Sequence, residues 1–399
     1  MTTRIPDVIV LGLSPTGLYA VREAARAGYS VLGVGAPGAP GLWSRFLSAR
    51  VSAPTPAARV EAILERAPAG GGTRPVLIVT SDQDLEAVVA RADDLTGRVQ
   101  LQGSYTDGLA HRIMDKDSFY RLCEAHGVVY PFLLSADVAG AAAYRDRIVY
   151  PAMIKPARIQ DAKHLMAGRK GWIVRSPAEF DATLPSLPPE AGTLLMQEIV
   201  PGPESAITLW CGYLDGAGQV RQRFTARKLR QYPAGFGSAS LVQSEPCPET
   251  AEIAERLLTA LGYRGIAAAE FKRHPETGAL KIIEVNPRPS LWFSVSTRAG
   301  VPLVETAIAE AHGVPLPPAA AQKDGVLWRY TAKDLAARLF YARNRDFVLP
   351  VPDLSGMLPV TRHADVTGAR DDPAPVFGEL VAFAGKLAGR LGAGGKGRA

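Results

Sequence analysis

The chain has 399 residues, of which 47% are hydrophobic and 21% are charged, a composition typical of a folded protein with about two or three packed units. It contains no apolar run of about 18 residues, which excludes a transmembrane helix. The N-terminal residues lack the pattern of a signal peptide, so we expect a cytoplasmic protein. Cys123, Cys211 and Cys247 lie far apart without CxxC spacing, which argues against a disulfide framework and a zinc site.

The formal net charge of +6 is concentrated at one end of the chain. From Val381 onward there are four basic residues and no acidic residue, so the rest of the chain carries about +2. That charge is too small for a surface that binds nucleic acid electrostatically. We therefore expect neither a nucleic acid nor a membrane as a partner. Because residues 392–399 are rich in glycine, we also expect that their deletion changes activity little.

The first quarter of the chain alternates predicted strands and helices. Residues 7–12 and 29–35 read as strands around a glycine turn and a helix, and residues 75–95 read as another strand and helix. This alternation indicates a parallel sheet covered by helices. The turn from Gly12 to Gly17 is a poor dinucleotide fingerprint, because Ser14 stands where backbone must approach a pyrophosphate. A nicotinamide oxidoreductase is therefore only a distant alternative.

From about His111 the pattern becomes α+β. A helix is predicted over residues 115–127, and several strand-like runs follow up to residue 229. Residues 265–274 and 280–289 are predicted to pair across a Pro-Glu-Thr-Gly turn, so this half should contain a substantially antiparallel sheet. After about residue 320, proline-rich connections surround two short predicted helices, to which the sequence assigns no function.

The predicted hairpin carries the strongest functional signal. Glu284 and Asn286 lie two residues apart in one strand and therefore point to the same face, with Glu270 opposite them in the other strand. Two carboxylates and an amide would be costly to bury without a partner. Oxygen ligands of this kind suit magnesium, which also retains waters and nucleotide phosphates. We predict a magnesium site, with a solvent-facing acidic hairpin as the alternative.

Arg288 follows Asn286 at the same spacing and is expected on the same face. A guanidinium beside magnesium can hold a carboxylate or a phosphoryl oxygen through two parallel hydrogen bonds. We predict a catalytic role for Arg288, and an exposed turn residue is the alternative.

Two lysines are candidates for binding phosphate groups. Lys155 closes an apolar strand, where an ammonium group is unusual unless it meets an anion. Lys116 lies at the start of the helix predicted from residue 115 and is the weaker candidate, since exposed lysines are common at such positions.

A second apolar run ends at Glu198, just before a Pro-Gly sequence. We predict that Glu198 and the backbone of Ile199 and Val200 bind the edge of an adenine. Glu204 lies a few residues further on and is predicted to accept hydrogen bonds from ribose hydroxyls. For each of these residues a purely structural role is the alternative.

Together and in this order, these residues resemble the motifs of the ATP-grasp superfamily over about residues 5–315. The resemblance implies, in chain order, an ATP-contacting lysine at Lys116, a phosphate-binding lysine at Lys155, an adenine-binding hinge at 197–202, a ribose-binding carboxylate at Glu204, magnesium ligands at Glu270, Glu284 and Asn286, and a catalytic arginine at Arg288.

Two further segments are compared with this family. The mobile loop that covers the phosphates is expected within residues 157–172. Residues 227–237 resemble a loop of the carbamoyl-phosphate-synthetase-like carboxylate–amine ligases, which implies that Arg227, Lys228 and Arg230 contact the triphosphate or an acyl phosphate. A basic surface strand is the alternative. No biotin attachment region is evident, which argues against a complete biotin-dependent carboxylase.

The resemblance implies an α/β and α+β multidomain fold. A Rossmann-like pre-ATP-grasp lobe is expected first, followed by the two α+β lobes of an ATP-grasp fold and a C-terminal extension of unknown role. The expected boundaries are 1–110 for the first lobe, 111–195 for the small lobe, 196–320 for the large lobe with the metal site, and 321–399 for the extension.

The function implied is that of an ATP-dependent carboxylate–amine ligase that forms an acyl phosphate and releases ADP and phosphate. The expected cofactors are ATP and Mg²⁺, with Mn²⁺ as a substitute, and the expected partners are a small-molecule carboxylate and an amine. A homodimer is the assembly considered. The alternatives are a purine-pathway-like or carboxylase-like enzyme that uses formate or bicarbonate, and a nucleotide-binding module without catalysis.

Overall fold

The computed structural model describes residues 6–67, 73–157, 166, 170–316, 319 and 321–381. Most of the segment expected to cover the phosphates and all of the basic tail lie outside these residues. Among the described residues, no helix is long and apolar enough to cross a lipid bilayer.

The N-terminal region forms a parallel sheet of four strands in the order β3–β2–β1–β4. Its strands are β1 (Val8–Leu11), β2 (Val31–Gly35), β3 (Ala49–Ser52) and β4 (Val76–Val79), and its helices are α1 (Pro15–Arg26), α2 (Pro56–Arg66), α3 (Asp82–Ala90), α4 (Ala92–Thr96) and α5 (Gly103–Thr106). Val8 and Val10 belong to the apolar cluster that includes α1, whereas Ile9 and Leu11 belong to the cluster that includes α2 and α3. Helices therefore cover both faces, as the alternation predicted.

The turn before α1 depends on close backbone packing. Gly12 has a φ of +87°, which favours glycine, and a Cβ at Gly17 would lie only 1.7 Å from the Gly12 carbonyl oxygen. The two glycines are thus explained by the packing of this turn.

A second sheet of four antiparallel strands has the order β5–β8–β6–β7. Its elements are β5 (Leu133–Asp137), β6 (Ala152–Pro156), β7 (Trp172–Val174), α8 (Pro177–Thr183) and β8 (Thr193–Glu198). Two helices precede it, α6 (Leu109–Met114) and α7 (Lys116–Ala125). These two helices pack against the third sheet, although the sequence placed most of that segment in the small lobe.

The third sheet has seven strands in the order β13–β12–β9–β10–β11–β14–β15. All neighbours are antiparallel except β14 and β15. The remaining elements are β9 (Ile207–Leu214), β10 (Val220–Tyr232), β11 (Ser238–Ser244), α9 (Pro248–Ala260), β12 (Gly265–Arg273), β13 (Leu280–Asn286), α10 (Ser294–Arg298), α11 (Leu303–Ala311), β14 (Val326–Arg329), α12 (Thr331–Arg343) and β15 (Arg362–Asp365). The predicted hairpin is confirmed as β12 and β13, and the segment after residue 320 adds two strands to this sheet.

A buried ion pair joins the C-terminal segment to the first sheet. Arg22 on α1 donates to Asp372 at 2.9 Å, and the side chains are 7% and 0% exposed. Asp372 also accepts hydrogen bonds from the Ser44 hydroxyl at 2.7 Å and the Arg45 amide at 3.0 Å. One turn later, Arg26 pairs with Asp371 at the surface.

These neighbouring pairs allow a matched test. Arg22→Ala should lower the free energy of unfolding by about 3–5 kcal/mol, because it leaves a buried carboxylate without its counter-charge. Arg26→Ala should cost less than about 1 kcal/mol, because its pair is exposed to solvent. Urea unfolding followed by fluorescence and circular dichroism compares the two variants, and equal losses would contradict the assigned role of Asp372.

Candidate active site

A cavity of about 760 Å³ lies where the three sheets meet. Every sheet and the C-terminal segment contribute to its lining, for example through Asp82, Lys155, Glu284 and Leu349. Within the part of the chain that the structure describes, its charged lining consists of six basic side chains, Lys116, Lys155, Lys170, Lys272, Arg288 and Lys333, and four acidic ones, Asp82, Glu198, Glu270 and Glu284. This excess of positive charge favours an anionic ligand.

The two carboxylates of the hairpin face this cavity. Glu270 and Glu284 are direct partners across β12 and β13, so their side chains share one face of the sheet. The Asn286 amide donates to Glu284 Oε1 at 3.0 Å and also lines the cavity. The structure therefore brings together the three residues for which the sequence predicted a common face.

Nearby lysines compensate the charge of this pair. Lys228 on β10 is 1% exposed and donates to Glu270. Burial raises the pKa of Glu270. For Glu284 the ammonium groups of Lys116 and Lys228 outweigh burial and lower the pKa of the carboxyl group. The cavity thus holds at least one ionised carboxylate beside several cations.

A chain of hydrogen bonds positions the two predicted phosphate-binding lysines. Lys155 donates to Gln197 at 2.9 Å, and Gln197 donates to the Tyr120 hydroxyl at 2.7 Å. Tyr120 and Lys116 both donate to the carbonyl oxygen of Ile283, at 3.0 and 2.6 Å. The second and third sheets are therefore linked through α7 at the point where both ammonium groups reach the cavity.

Burial shifts the titration of these lysines. It lowers the pKa of Lys155 to about 7, with a further contribution from the charge of Lys116. The pKa of Lys116 is also lowered by burial. Lys170, which the sequence analysis did not select, donates to the Phe236 carbonyl at 2.6 Å, and burial lowers its pKa as well. An anion bound between these groups would favour their charged forms.

The segment after β8 forms the wall at one end of the cavity. Glu198 is held by Lys281 at 2.6 Å and by the Phe132 amide at 2.8 Å. The Ile199 amide donates to the Pro151 carbonyl at 2.8 Å. The Val200 amide has no acceptor within the described part of the chain, and it lies beside the cavity.

An apolar surface lies next to this wall. Met153, Ile199 and Leu349 form a small buried cluster, with Phe236 and Phe347 packed against it. Leu349 and Phe347 belong to the C-terminal segment, so this segment completes the apolar end of the cavity.

Arg288 lies at the opposite end, against the first sheet. Its guanidinium donates to Asp82 at 2.6 Å, to the Pro289 carbonyl at 2.9 Å and to Asn286 at 3.3 Å. Arg288 lies just beyond the end of β13 and is connected to Glu284 through Asn286, which donates to that carboxylate.

Residues 238–319, which include both hairpin carboxylates, match the family described as "Carbamoyl-phosphate synthase L chain, ATP binding domain". A D-aspartate ligase of Enterococcus faecium (strain Aus0004) is 27% identical over 191 residues. That alignment covers 45% of this chain and 45% of the ligase, so the similarity spans less than half of either protein.

Solved structures resemble the chain over a larger part of its length. An ADP complex of N5-carboxyaminoimidazole ribonucleotide synthetase matches with a TM-score of 0.61 and 15% identity over 81% of each chain. The same enzyme from Thermus thermophilus matches with a TM-score of 0.60 and 19% identity, over 79% of this chain and 81% of that chain. The chain has the ATP-grasp fold. The resemblance predicted from the motifs is thereby confirmed.

Within this ATP-grasp fold, Glu204 does not occupy the predicted ribose position. The side chain is fully buried, and its carboxylate accepts hydrogen bonds from the amides of Gln231, at 3.0 Å, and Gly235. It is not part of the cavity lining. Glu204 instead fixes the loop between β10 and β11, so the ribose prediction is corrected.

The prediction for Arg227 is also corrected, because its side chain does not line the cavity between the three sheets. It pairs with Glu245 at 3.0 Å and donates to the Gly356 carbonyl. Neighbouring residues of a strand face opposite sides, and Lys228 on the other side binds Glu270 and is also absent from the cavity lining, so neither residue lines the cavity as predicted. Arg230 likewise does not line the cavity, because it pairs with Asp334 of α12 at 2.7 Å. The period of two in the sequence was the signal that separates Arg227 from Lys228.

The hinge prediction needs one correction and one addition. The Ile199 amide is already paired with Pro151, which leaves the Val200 amide as a donor for a ligand. Lys272 was missed, although it lies two residues after Glu270 on the same strand. Its ammonium group donates to the carbonyls of Val200, at 2.8 Å, and Gly202, at 2.7 Å, and burial lowers its pKa to about 8.

The structural role of Glu204 can be tested directly. In Glu204→Gln only one acceptor oxygen remains for two buried amides, so the free energy of unfolding should fall by about 1–3 kcal/mol. Thermal unfolding without nucleotide should show this loss, whereas Glu276→Gln, at an exposed turn, should melt like the wild type. A ribose-binding role would instead leave the melting temperature of the unliganded protein unchanged.

Proposed function

We propose that this protein is an ATP-dependent ligase that joins a small-molecule carboxylate to an amine and releases ADP and phosphate. One observation carries the proposal: Glu270 and Glu284 face the same cavity as Lys116 and Lys155. Phosphoryl transfer requires mainly positioning and charge neutralisation, and carboxylates for a divalent metal beside ammonium groups for phosphates supply both.

ATP is proposed to lie with its adenine against Met153, Ile199 and Leu349. The Val200 amide and the Glu198 carbonyl are the proposed donor and acceptor for the adenine edge, which favours ATP over GTP. Glu198 contributes through its backbone, because its carboxylate is held by Lys281 and the Phe132 amide.

The donor set fits Mg²⁺. Glu270, Glu284 and Asn286 offer oxygen atoms on one sheet face. Few protein ligands leave room for phosphate oxygens and water, which Mg²⁺ prefers, and Mn²⁺ accepts the same oxygen ligands. When bound, the ion would neutralise phosphate charge.

The proposed reaction has two steps. The substrate carboxylate attacks the γ-phosphorus of ATP, the bond to the bridging oxygen breaks, and ADP leaves. The amine then attacks the acyl carbon, the carbon–oxygen bond to phosphate breaks, and the amide forms as the nitrogen releases a proton to the departing phosphate or to water. Lys116 and Lys155 would hold the phosphates, while Arg288, fixed by Asp82, would donate to the oxyanion of the second step.

The relatives support an acid and an amine as substrates. The sequence relative is a D-aspartate ligase, which favours this reaction over one that uses formate or bicarbonate. The structural relatives include a complex with ADP, which supports a nucleotide at the cavity. The expected cytoplasmic location and homodimer remain predictions from the sequence.

A product analysis tests the proposal. The protein is incubated with ATP, Mg²⁺ and pairs of carboxylates and amines, with D-aspartate among the acids, and the products are identified by mass spectrometry. We expect ADP and phosphate in equal amounts, and a hydroxamate when hydroxylamine replaces the amine. Release of AMP and pyrophosphate, or no acid-dependent turnover with any pair, would refute the ligase assignment.

Two glutamate variants serve as controls in this assay. Glu284→Gln should lose about a hundredfold or more of the turnover, because it removes a charged metal ligand. Glu276→Gln carries the same chemical change at an exposed turn and should retain wild-type turnover. Equal turnover in the two variants at millimolar Mg²⁺ would remove the proposed metal site.

The lowered pKa of Lys155 predicts that ATP binding is accompanied by the uptake of a proton. Its pKa of about 7 leaves the amine mostly neutral at about pH 8, and a bound phosphate favours the ammonium form. ATP binding should therefore take up close to one proton more in the wild type than in Lys155→Met at about pH 8, and this difference should vanish near pH 6. Calorimetry in buffers of different ionisation enthalpy measures the uptake, and the same difference at both pH values would contradict this assignment.

A further inference from the structure

A second cleft, of about 1180 Å³, shares no lining residue with the catalytic cavity. It lies between α1, α10, the ends of β14 and β15, and the segment that follows β15. Among the described residues, six arginines line it, Arg22, Arg26, Arg298, Arg329, Arg362 and Arg370, together with four acids, Glu23, Glu305, Asp365 and Asp371. The lining therefore carries more positive than negative groups.

Two of the six arginines serve the fold. Arg22 is buried against Asp372, and Arg26 pairs with Asp371. Both residues tie α1 to the C-terminal segment and thus form one wall of the cleft.

The other four arginines lack a close counter-charge. No carboxylate of the described residues lies within 4.0 Å of Arg298, Arg362 or Arg370. Arg329 approaches Asp334 only to 3.8 Å, and that carboxylate is already held by Arg230 through two hydrogen bonds. Four exposed arginines therefore line one cleft, and none of them has a carboxylate of the described residues within hydrogen-bond distance.

The acidic residues of the cleft form no ion pair with these four arginines. Asp365 accepts hydrogen bonds from the amides of Thr367 and Gly368, at 3.0 and 2.7 Å. Glu23 is buried and accepts from the Thr297 hydroxyl and the Glu305 amide. Asp371 pairs with Arg26, whereas Glu23, Glu305 and Asp365 form no ion pair with a basic side chain of the described residues.

We propose that this cleft binds a small polyanion that carries two or more phosphate groups. A guanidinium stays charged at any physiological pH, so the grouped arginines repel one another until an anion joins them. A single carboxylate offers two oxygens and satisfies one guanidinium fork. A diphosphate offers several oxygens in a small volume and can satisfy Arg298, Arg362 and Arg370 together.

Calorimetric titration with inorganic pyrophosphate tests the proposal. The full chain is titrated without nucleotide, together with Lys155→Met, which alters the cavity between the three sheets, and citrate is titrated in parallel at the same ionic strength. We expect binding of about one pyrophosphate and weaker binding of citrate. The double variant Arg362→Ala/Arg370→Ala should bind pyrophosphate at least about tenfold more weakly, because hydrogen bonds to charged groups are lost.

The control is Arg256→Ala, which removes an exposed arginine of α9 outside the cleft and should bind pyrophosphate like the wild type. Thermal unfolding verifies that each variant is folded, and sedimentation velocity reports the oligomeric state. Equal affinity in the double variant and the wild type would overturn the proposal. So would a change of oligomeric state in the double variant without a change in affinity, since the arginines would then serve an interface. Loss of pyrophosphate binding in Lys155→Met with unchanged binding in the double variant would place the anion in the cavity of the proposed function and would also overturn this proposal, so the two proposals are tested separately.

Discussion

The constraint on which the rest of this site depends is the placement of two carboxylates side by side in a partly buried position. Removing an ionised group from water costs several kcal/mol, and a second like charge beside it adds repulsion. The cross-strand register of β12 and β13 forces Glu270 and Glu284 into this situation. Lys228 and Lys116 supply the compensation from two other elements. The site therefore exists only when β10, α7 and the hairpin are assembled together.

Hydrogen bonds from lysine side chains also join the second and third sheets. Lys281 binds the carboxylate of Glu198 at the end of β8, and Lys272 binds the carbonyls that follow it. These contacts fix the wall next to the apolar end of the cavity. Because each ammonium group is removed from bulk water and oriented by a defined acceptor, the cavity is organised before a ligand enters.

The segment after residue 320 is integral to the molecule. Its strands extend the third sheet, Leu349 closes the apolar end of the cavity, and Asp372 is buried against Arg22 of the first sheet. The segment also forms one side of the second cleft. One stretch of chain thus supports the cavity between the three sheets, the junction between the sheets and the second cleft.

The sequence by itself determined the elements and the face of the hairpin, because the period of a strand is local and places Glu270, Glu284 and Asn286 without knowledge of the fold. It also indicated Lys155 at a strand end, where an ammonium group needs an anion. Only the tertiary structure decided which groups were already paired. The Glu204 carboxylate accepts hydrogen bonds from amides at the end of β10 and in the loop after it, and the Ile199 amide donates to the Pro151 carbonyl. Such partners lie far away in the chain, and hydrogen bonds between distant segments follow from packing rather than from local spacing.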